Sequence, residues 1–236
     1  MLIIVSLFIF PVKALTADAS IYQQAIDHPD RPKLDMTKDA ARKPLEILKF
    51  SKIEPGIKLL EIGAGGGYTT ELVSRIIGPN GKVYAETLSP RRISGNRLEN
   101  VVALKRHKLF QLPDVLSEHQ VKSNELDVVI IFFALHDVLM NSRIDHDEFL
   151  SNLYKLLKPG GHLVVLDNAA EPDSGLQYTR TLHRIGENYV KEKVLSAGFK
   201  WDAESKVLRN YNDDLKKAWS RLKGTQDRFS YRFVKP

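Results

Sequence analysis

Short apolar runs alternate with amphipathic stretches along most of this chain. The runs are rich in valine, isoleucine and leucine, and the stretches between them space their apolar residues three or four positions apart. Runs of the first kind predict buried strands, and stretches of the second kind predict helices. The predicted strands cover residues 57–62, 82–87, 101–105, 126–133, 162–167, 200–208 and 228–234. Predicted helices cover residues 38–51 (capped by Thr37), 66–77, 149–157 and 187–197, and a short helix begins at Ser89-Pro90.

This order of elements predicts a fold class. Five strand–helix units followed by a strand pair are typical of a doubly wound α/β sheet. We therefore expect a Rossmann-like sheet of about seven strands, mostly parallel, with one antiparallel strand near the C-terminus. A chain of 236 residues is long enough for one such domain and short for two. The predicted domain covers residues 41–236, after a polar N-terminal arm over residues 18–40.

An apolar leader precedes this arm. Residues 2–12 are almost entirely apolar and lead into Lys13-Ala14, which is typical of a signal peptide cleaved after Ala14 or after Ala17. The run is shorter than the roughly 20 residues that span a bilayer, so no stable span is expected once the leader is removed. We interpret residues 1–17 as a leader and the protein as exported to the periplasm. A cytoplasmic protein with an uncleaved leader is the alternative, because no Lys or Arg precedes the apolar run.

Charge and cysteine content narrow the chemistry. The net charge is +6, but the basic residues are dispersed and no run of five occurs, so we expect no nucleic-acid partner. The sequence contains no cysteine, which excludes disulfides, thiol nucleophiles and zinc sites with cysteine ligands. The oligomeric state is left open by these features.

A glycine-rich segment lies between the first predicted strand and the helix that follows. It reads Glu61-Ile62-Gly63-Ala64-Gly65-Gly66-Gly67. Glycines here permit positive φ and a close approach of the backbone to a ligand, and the helix N-terminus presents free N–H groups. The expected ligand is nucleotide-like and lies at the carboxyl ends of the strands. Tyr68 occupies the third position of the dinucleotide fingerprint, which disfavours NAD and FAD.

The spacing of the acid and the glycines resembles motif I of class I S-adenosylmethionine-dependent methyltransferases. Lys158-Pro159-Gly160-Gly161 resembles a turn of the same family, and the likeness extends over about residues 40–236. The resemblance implies S-adenosyl-L-methionine as cofactor and methyl transfer by SN2 displacement. The cofactor-binding residues that it implies in the turn are Glu61, Gly63, Ala64, Gly65 and Gly67. Segments 28–32, 181–185 and 223–229 resemble a family of bacterial predicted methyltransferases that often begin with a signal peptide.

Two acids that the larger family uses are displaced or absent here. The acid that binds the ribose hydroxyls ends the second strand, and the register of this sequence puts Thr87 there and Glu86 one residue earlier. Neighbouring strand residues face opposite sides, so Glu86 reaches a ribose only if the strand has curled. Both Glu86 and Thr87 are candidates for binding the ribose of the cofactor. At the adenine position no acid is present, and we expect backbone groups to hold the ring against Leu109 or Phe110.

Candidate catalytic groups follow the fourth and fifth strands. His136 and Asp137 lie at the mouth of the expected site, where His136 suits a general base and Asp137 would orient it or bind substrate. His183 is a second base candidate. Alternatively, His183, Arg184 and Glu187 form a cap and a salt bridge at the start of the next helix.

A metal site is a weaker hypothesis. Asp167-Asn168 ends the fifth strand and resembles part of the magnesium site of catechol-type O-methyltransferases. That family adds an acid close after the fourth strand, whereas Asp137 lies ten residues past Asp127, further along than the family's pattern. Because oxygen ligands alone are a weak signal, we assign no metal from the sequence.

The sequence therefore predicts an enzyme that transfers a methyl group from S-adenosylmethionine to a small-molecule acceptor. A non-catalytic binding module of the same fold is the alternative, favoured by the missing ribose and adenine acids. An RNA or protein methyltransferase is disfavoured, because the basic charge is dispersed and no appended recognition domain is expected.

Overall fold

A computed structural model describes residues 21–94, 98–105 and 116–236. Seven strands of these residues form one sheet in the order β3-β2-β1-β4-β5-β7-β6. β7 runs antiparallel to β5 and β6, and the other neighbouring strands are parallel. The predicted doubly wound sheet with one antiparallel strand is confirmed. The strands are β1 Lys58–Ile62, β2 Lys82–Thr87, β3 Val101–Lys105, β4 Leu126–Phe132, β5 Leu157–Asn168, β6 Lys200–Ser205 and β7 Arg228–Val234.

Helices connect and cover these strands. Residues 21–26 are helical, and a 3-10 turn covers Trp219–Arg221. None of the helices in the described residues is long and apolar enough to cross a bilayer. The α-helices are Lys33–Met36, Asp39–Arg42, Pro44–Phe50, Tyr68–Ile77, Pro90–Ser94, Leu135–Leu139, His146–Leu156, Thr179–Leu182 and Glu187–Ser196.

The core consists of two apolar clusters on opposite faces of the sheet. Successive side chains of a strand point to opposite faces, so a central strand that is covered on both sides must be apolar throughout. In β4, Val129 and Ile131 belong to one cluster, and Val128 and Ile130 belong to the other. All four side chains are buried. This packing explains why residues 126–132 form a continuous apolar run rather than an alternating one.

The N-terminal residues pack onto one of these clusters. Tyr22, Ala25 and Ile26 are buried there, and the Tyr22 hydroxyl donates to the carbonyl of Ile53 at 2.7 Å. The prediction of one continuous helix over residues 38–51 was wrong, because two helices, Asp39–Arg42 and Pro44–Phe50, cover this range. They are separated at Lys43, whose φ is 45°, because a proline at the next position disfavours the α conformation of its predecessor.

The Lys158–Gly161 segment turns the chain as predicted, but as a bulge within a strand. The ladder pairs Leu126 with Leu157 and Val128 with His162, and Gly160 has a φ of 78°. β5 begins at Leu157, five residues earlier than predicted, and the backbone N–H of Gly160 donates to Lys235 at 2.8 Å. Four short helices of the described residues were not predicted: residues 21–26, Lys33–Met36, Leu135–Leu139 and Thr179–Leu182. The leader and Phe110 lie outside the described residues, so export and the adenine contact stay predictions, as does the domain boundary near residue 41.

We predict that Gly161 is required for stability. A Cβ atom at this position would lie 2.9 Å from the carbonyl oxygen of Lys158 and 3.1 Å from that of Asp127. Gly161→Ala should therefore lower the free energy of unfolding by about 1–3 kcal/mol through overpacking. Gly66→Ala is the matched control, because a Cβ atom there meets nothing within 4 Å. Urea denaturation measures both, and equal unfolding free energies would contradict the prediction.

Candidate functional site

Two adjoining cavities open where the carboxyl ends of the central parallel strands meet. The first, of about 180 Å³, is lined by the glycine-rich turn and is called the glycine-turn cavity. The second, of about 610 Å³, is lined by His136, His183 and the residues around them and is called the histidine cavity. Lys38, Arg42 and Phe133 line both. A ligand in one cavity would therefore lie next to a ligand in the other.

The glycine-rich turn presents an open backbone face to the first cavity. Gly63, Ala64 and Gly65 line it, as the sequence predicted. Gly67, with φ of 91°, is the N-cap of the helix Tyr68–Ile77, so it shapes the entry to the helix rather than the cavity wall. Because a Cβ atom on Gly66 meets nothing within 4 Å, the space above the turn is free for a ligand.

Glu61 lies beneath this turn and is almost fully buried. Thr70 donates its hydroxyl to the Glu61 carboxylate at 2.5 Å. Burial raises the pKa of Glu61 to about 7, against the opposing effects of the Thr70 hydrogen bond and the Arg42 charge. The side chain lines the glycine-turn cavity, so it can meet a cationic group there once it is ionised.

Glu86 and Thr87 both contact the turn, although they are neighbours on β2. The backbone N–H of Gly63 donates to the Glu86 carboxylate at 3.0 Å, and the Thr87 hydroxyl donates to the carbonyl of Gly65 at 2.9 Å. Although neighbouring strand residues face opposite sides of a sheet, both side chains reach the glycine-rich turn, because they lie at the end of β2 beside it. Their role in ribose binding stays a prediction.

Arg42 is a site residue that the sequence reasoning missed. It lines both cavities, with its guanidinium carbon 4.4 Å from the ring centroid of Tyr68 and 5.6 Å from that of Phe133. Burial lowers the pKa of Arg42 from its usual value. Nearby, the Asp39 carboxylate accepts hydrogen bonds from Arg31 and from the Tyr68 hydroxyl. The sequence assigned residue 42 to the predicted helix over residues 38–51 and gave it no role, and only packing shows that it faces the site.

His136 is buried between the ends of β4 and β5. Its Nδ1 lies 2.7 Å from Asp167 Oδ1, and its backbone N–H donates to Asp167 Oδ2 at 2.9 Å. A carboxylate only accepts, so Nδ1 carries a proton, and Nε2 faces the cavity, where it offers an electron pair when the ring is neutral. Burial lowers the pKa of His136, but the charges of Asp167 and Asp137 outweigh it, and the pKa is raised. Asp167 orients the ring at Nδ1, whereas Asp137, our candidate for orienting the ring or binding substrate, lies at Nε2.

Asp137 and His183 lie on the cavity side of His136. His136 Nε2 is 3.3 Å from Asp137 Oδ1 and 3.3 Å from His183 Nδ1, and the last two atoms are 3.5 Å apart. The structure thus brings together all three predicted catalytic residues. The Asn168 amide donates to the carbonyl of His183 at 3.0 Å, and Gln226 donates to Asn168 at 3.1 Å.

The alternative cap and salt bridge of His183, Arg184 and Glu187 is not formed. Arg184 is fully buried and pairs with Asp213 at 2.7 Å, whereas Glu187 pairs with Arg209 at 2.6 Å. The magnesium set of catechol-type enzymes is not assembled either, because both oxygens of Asp167 already accept hydrogen bonds from His136.

Cationic side chains surround the rest of the histidine cavity. Arg228 is buried and donates to the backbone carbonyls of Ala41, Gly224 and Gln226. Burial and the Arg42 charge lower the pKa of Arg228 to about 10, so the Arg228 guanidinium stays charged at neutral pH. Neither Arg42 nor Arg228 forms an ion pair with a carboxylate among the described residues. Lys38 and Lys223 add two more charges.

Comparison with known proteins agrees with this architecture. Residues 60–163 match a family described as a methyltransferase domain. The ubiquinone/menaquinone biosynthesis C-methyltransferase UbiE of Pasteurella multocida is 29% identical over 181 residues, which cover 70% of this chain and 61% of that protein. The rRNA 2'-O-methyltransferase fibrillarin of Xenopus laevis is 33% identical over 130 residues, which cover 52% of this chain and 38% of that protein. The chain thus spans less than two thirds of the length of either relative.

Solved structures show the same fold. A SAM-dependent methyltransferase from Aquifex aeolicus superposes with a TM-score of 0.62 at 21% identity, over 86% of this chain and 96% of that one. These findings support the predicted enzyme class and the predicted cofactor, S-adenosylmethionine. They leave the acceptor open, because the two curated relatives are named for different acceptors. The chain has the fold of a solved SAM-dependent methyltransferase, and its residues 60–163 match a family described as a methyltransferase domain.

Proposed function

We propose that this protein methylates a small, anionic acceptor with S-adenosylmethionine. The observation that carries the proposal is the adjacency of the two cavities, which share Arg42 and Phe133 as walls. When bound, the cofactor supplies a methyl group on a positively charged sulfur, open to SN2 attack from the neighbouring cavity. Methyl transfer of this kind depends on alignment, and adjoining cavities supply it.

The glycine-turn cavity fits the methionine end of the cofactor. That end carries an ammonium and a carboxylate, and the cavity presents Glu61 and Arg42, which have the opposite charges. The open backbone face at Gly66 leaves room for a close approach. Glu61 and Arg42 therefore complement the ammonium and the carboxylate of the ligand.

The histidine cavity fits an acceptor with an anionic group. Arg42 and Arg228 are both shielded from water and repel each other, so an anion placed between them would be stabilised. Phe133 and Trp219 offer apolar walls to the rest of the molecule. The volume, about 610 Å³, lies within the range of roughly 300–1,000 Å³ that is common for small-molecule sites.

His136 completes the acceptor side. Asp167 holds its ring, and Nε2 faces the cavity, where it offers an electron pair when the ring is neutral. A base and a metal ligand both need such a nitrogen. The group that activates the acceptor therefore lies on the short helix Leu135–Leu139, just after β4, and is held in place by the end of β5.

We predict that the glycine-rich turn binds the cofactor. S-adenosylhomocysteine at 100 times its dissociation constant should stabilise the folded protein by about 2.7 kcal/mol, seen as a raised melting temperature. Gly65→Val should abolish the shift. Gly56→Val is the matched control, because Gly56 also has positive φ and open space but precedes β1, at the opposite end of the strand. A shift that survives in Gly65→Val, or no shift at millimolar ligand in the unaltered protein, would refute this role.

We predict that cofactor affinity depends on the ionisation of Glu61. Its pKa of about 7 means that it is mostly protonated at pH 6 and half ionised at pH 7. The ligand's ammonium favours the ionised form, so the affinity for S-adenosylhomocysteine should rise about fivefold from pH 6 to pH 7. Isothermal titration calorimetry at pH 6 and at pH 7 measures this affinity. Glu61→Gln should bind more weakly and lose this dependence, and an unchanged slope would show that another group titrates.

We predict that Lys223 selects for anionic acceptors. The side chain is exposed at the rim of the histidine cavity, so Lys223→Ala should leave the fold intact. Release of S-adenosylhomocysteine is measured with pairs of small hydroxylated acceptors that differ only in a carboxylate. The variant should raise KM for the carboxylated members and leave the neutral ones unchanged. Lys216→Ala, also exposed but outside the cavity lining, serves as control. Equal effects on both members would contradict the anionic acceptor.

A further inference from the structure

Three side-chain atoms that can each offer an electron pair converge on one point of the histidine cavity. They are His136 Nε2, Asp137 Oδ1 and His183 Nδ1, and their mutual separations are 3.3, 3.3 and 3.5 Å. Hydrogen-bonded pairs of such atoms usually lie at about 2.7–3.2 Å. The three atoms lie just beyond that range. The two imidazole nitrogens are still close enough for a long hydrogen bond, and all three atoms are close enough together to hold a single ion.

The spacing fits ligands around a tetrahedral metal ion. Zinc binds histidine nitrogen and carboxylate oxygen at about 2.0–2.2 Å, which puts tetrahedral donor atoms about 3.3–3.5 Å apart. Magnesium instead prefers oxygen ligands, whereas two of these three donors are imidazole nitrogens. The observed separations match the tetrahedral geometry. We propose that His136, Asp137 and His183 bind a zinc ion whose fourth position is open to the cavity.

The surroundings of the three residues support this site. Asp167 accepts the Nδ1 proton of His136, which is the outer partner that metal-bound histidines usually have. His183 is held in place by the Asn168 amide on its carbonyl and adopts a positive φ of 51°, a conformation that non-glycine residues rarely adopt. Both histidines are thus aimed before any ion arrives.

Charge balance favours a divalent cation at this point. Asp137 and Asp167 together supply two negative charges, one as a direct ligand and one through His136. The positive residues of the cavity, Arg42 and Arg228, are neighbours of Phe133 on another part of the wall. A dication among the histidines and an anion near the arginines would therefore complement each other.

The ion would act on the acceptor, and in this respect the inference rests on the proposed function. An acceptor hydroxyl in the open position loses its proton to solvent more readily, because zinc lowers the pKa of a bound hydroxyl group. The oxygen would then lie in the histidine cavity, beside the cavity that we assign to the cofactor. The site thus predicts an acceptor with a metal-binding oxygen.

Equilibrium dialysis of the full, chelator-stripped chain against zinc chloride tests the site, with bound metal counted by mass spectrometry. We expect one zinc ion per chain. Asp137→Asn and His183→Gln should each weaken binding by more than about 100-fold, because losing an outer partner alone costs 10–100-fold. Both side chains are partly exposed, so the variants should fold, and circular dichroism checks this.

The matched controls are His119→Gln and Asp147→Asn, which alter exposed residues outside the cavity lining and should keep zinc binding. Cobalt in place of zinc should show the strong visible bands of a tetrahedral site, and these bands should disappear in His183→Gln. No stoichiometric zinc, equal binding in the ligand and control variants, or an octahedral cobalt spectrum would overturn the proposal.

Binding of S-adenosylhomocysteine to the metal-free chain separates this inference from the proposed function. If the nucleoside binds and zinc does not, the metal site is refuted and the proposed methyl transfer stands. If zinc binds and the nucleoside does not, the metal site is supported and the proposed methyl transfer fails.

Discussion

The parallel pairing of β4 with β5 is the constraint on which the site depends. The ladder pairs Phe132 with Leu166 and continues beyond the strand, where the N–H of Phe133 donates to the carbonyl of Leu166 at 2.7 Å. This register places the Asp167 carboxylate against the backbone and the ring of His136. Shifting the pairing by one residue would send Asp167 to the other face of the sheet and leave His136 without its partner.

The antiparallel strand has an equally specific consequence. Parallel strands all end at the site edge, but an antiparallel strand begins there, so the first residue of β7 lies where the last residue of β5 does. Arg228 is that first residue, and it pairs with Asn168. The C-terminal strand thus delivers a buried guanidinium to the histidine cavity. Segments 181–185 and 223–229, which marked the closer family resemblance, both contribute to this cavity through His183, Lys223 and Arg228.

Strain and buried charge are concentrated at the same place. Phe133 and His183 have positive φ values of 56° and 51°, and both line the histidine cavity. Such conformations persist only where surrounding contacts enforce them, and they cluster at functional sites. The carboxyl group of Glu61 and the guanidinium of Arg42 are both buried beside the cavity, and burial shifts the pKa of each in the direction that favours its neutral form. The protein therefore gives up stability at this edge to hold groups that a bound ligand can complement.

The sequence by itself determined the local features of this protein. The ranges of β2, β3 and β7 and the glycine-rich turn follow from apolar runs and glycine spacing, which act over a few residues. It also placed His136 and Asp137 after the fourth strand, at the edge where the parallel strands end, but it did not predict the helix Leu135–Leu139 that carries them. Only the tertiary structure decided the partners of these groups. His136 meets Asp167 across 31 positions and His183 across 47, and Arg42 reaches the site from the N-terminal helices. No local pattern encodes such contacts, because they depend on which distant segments the sheet brings together.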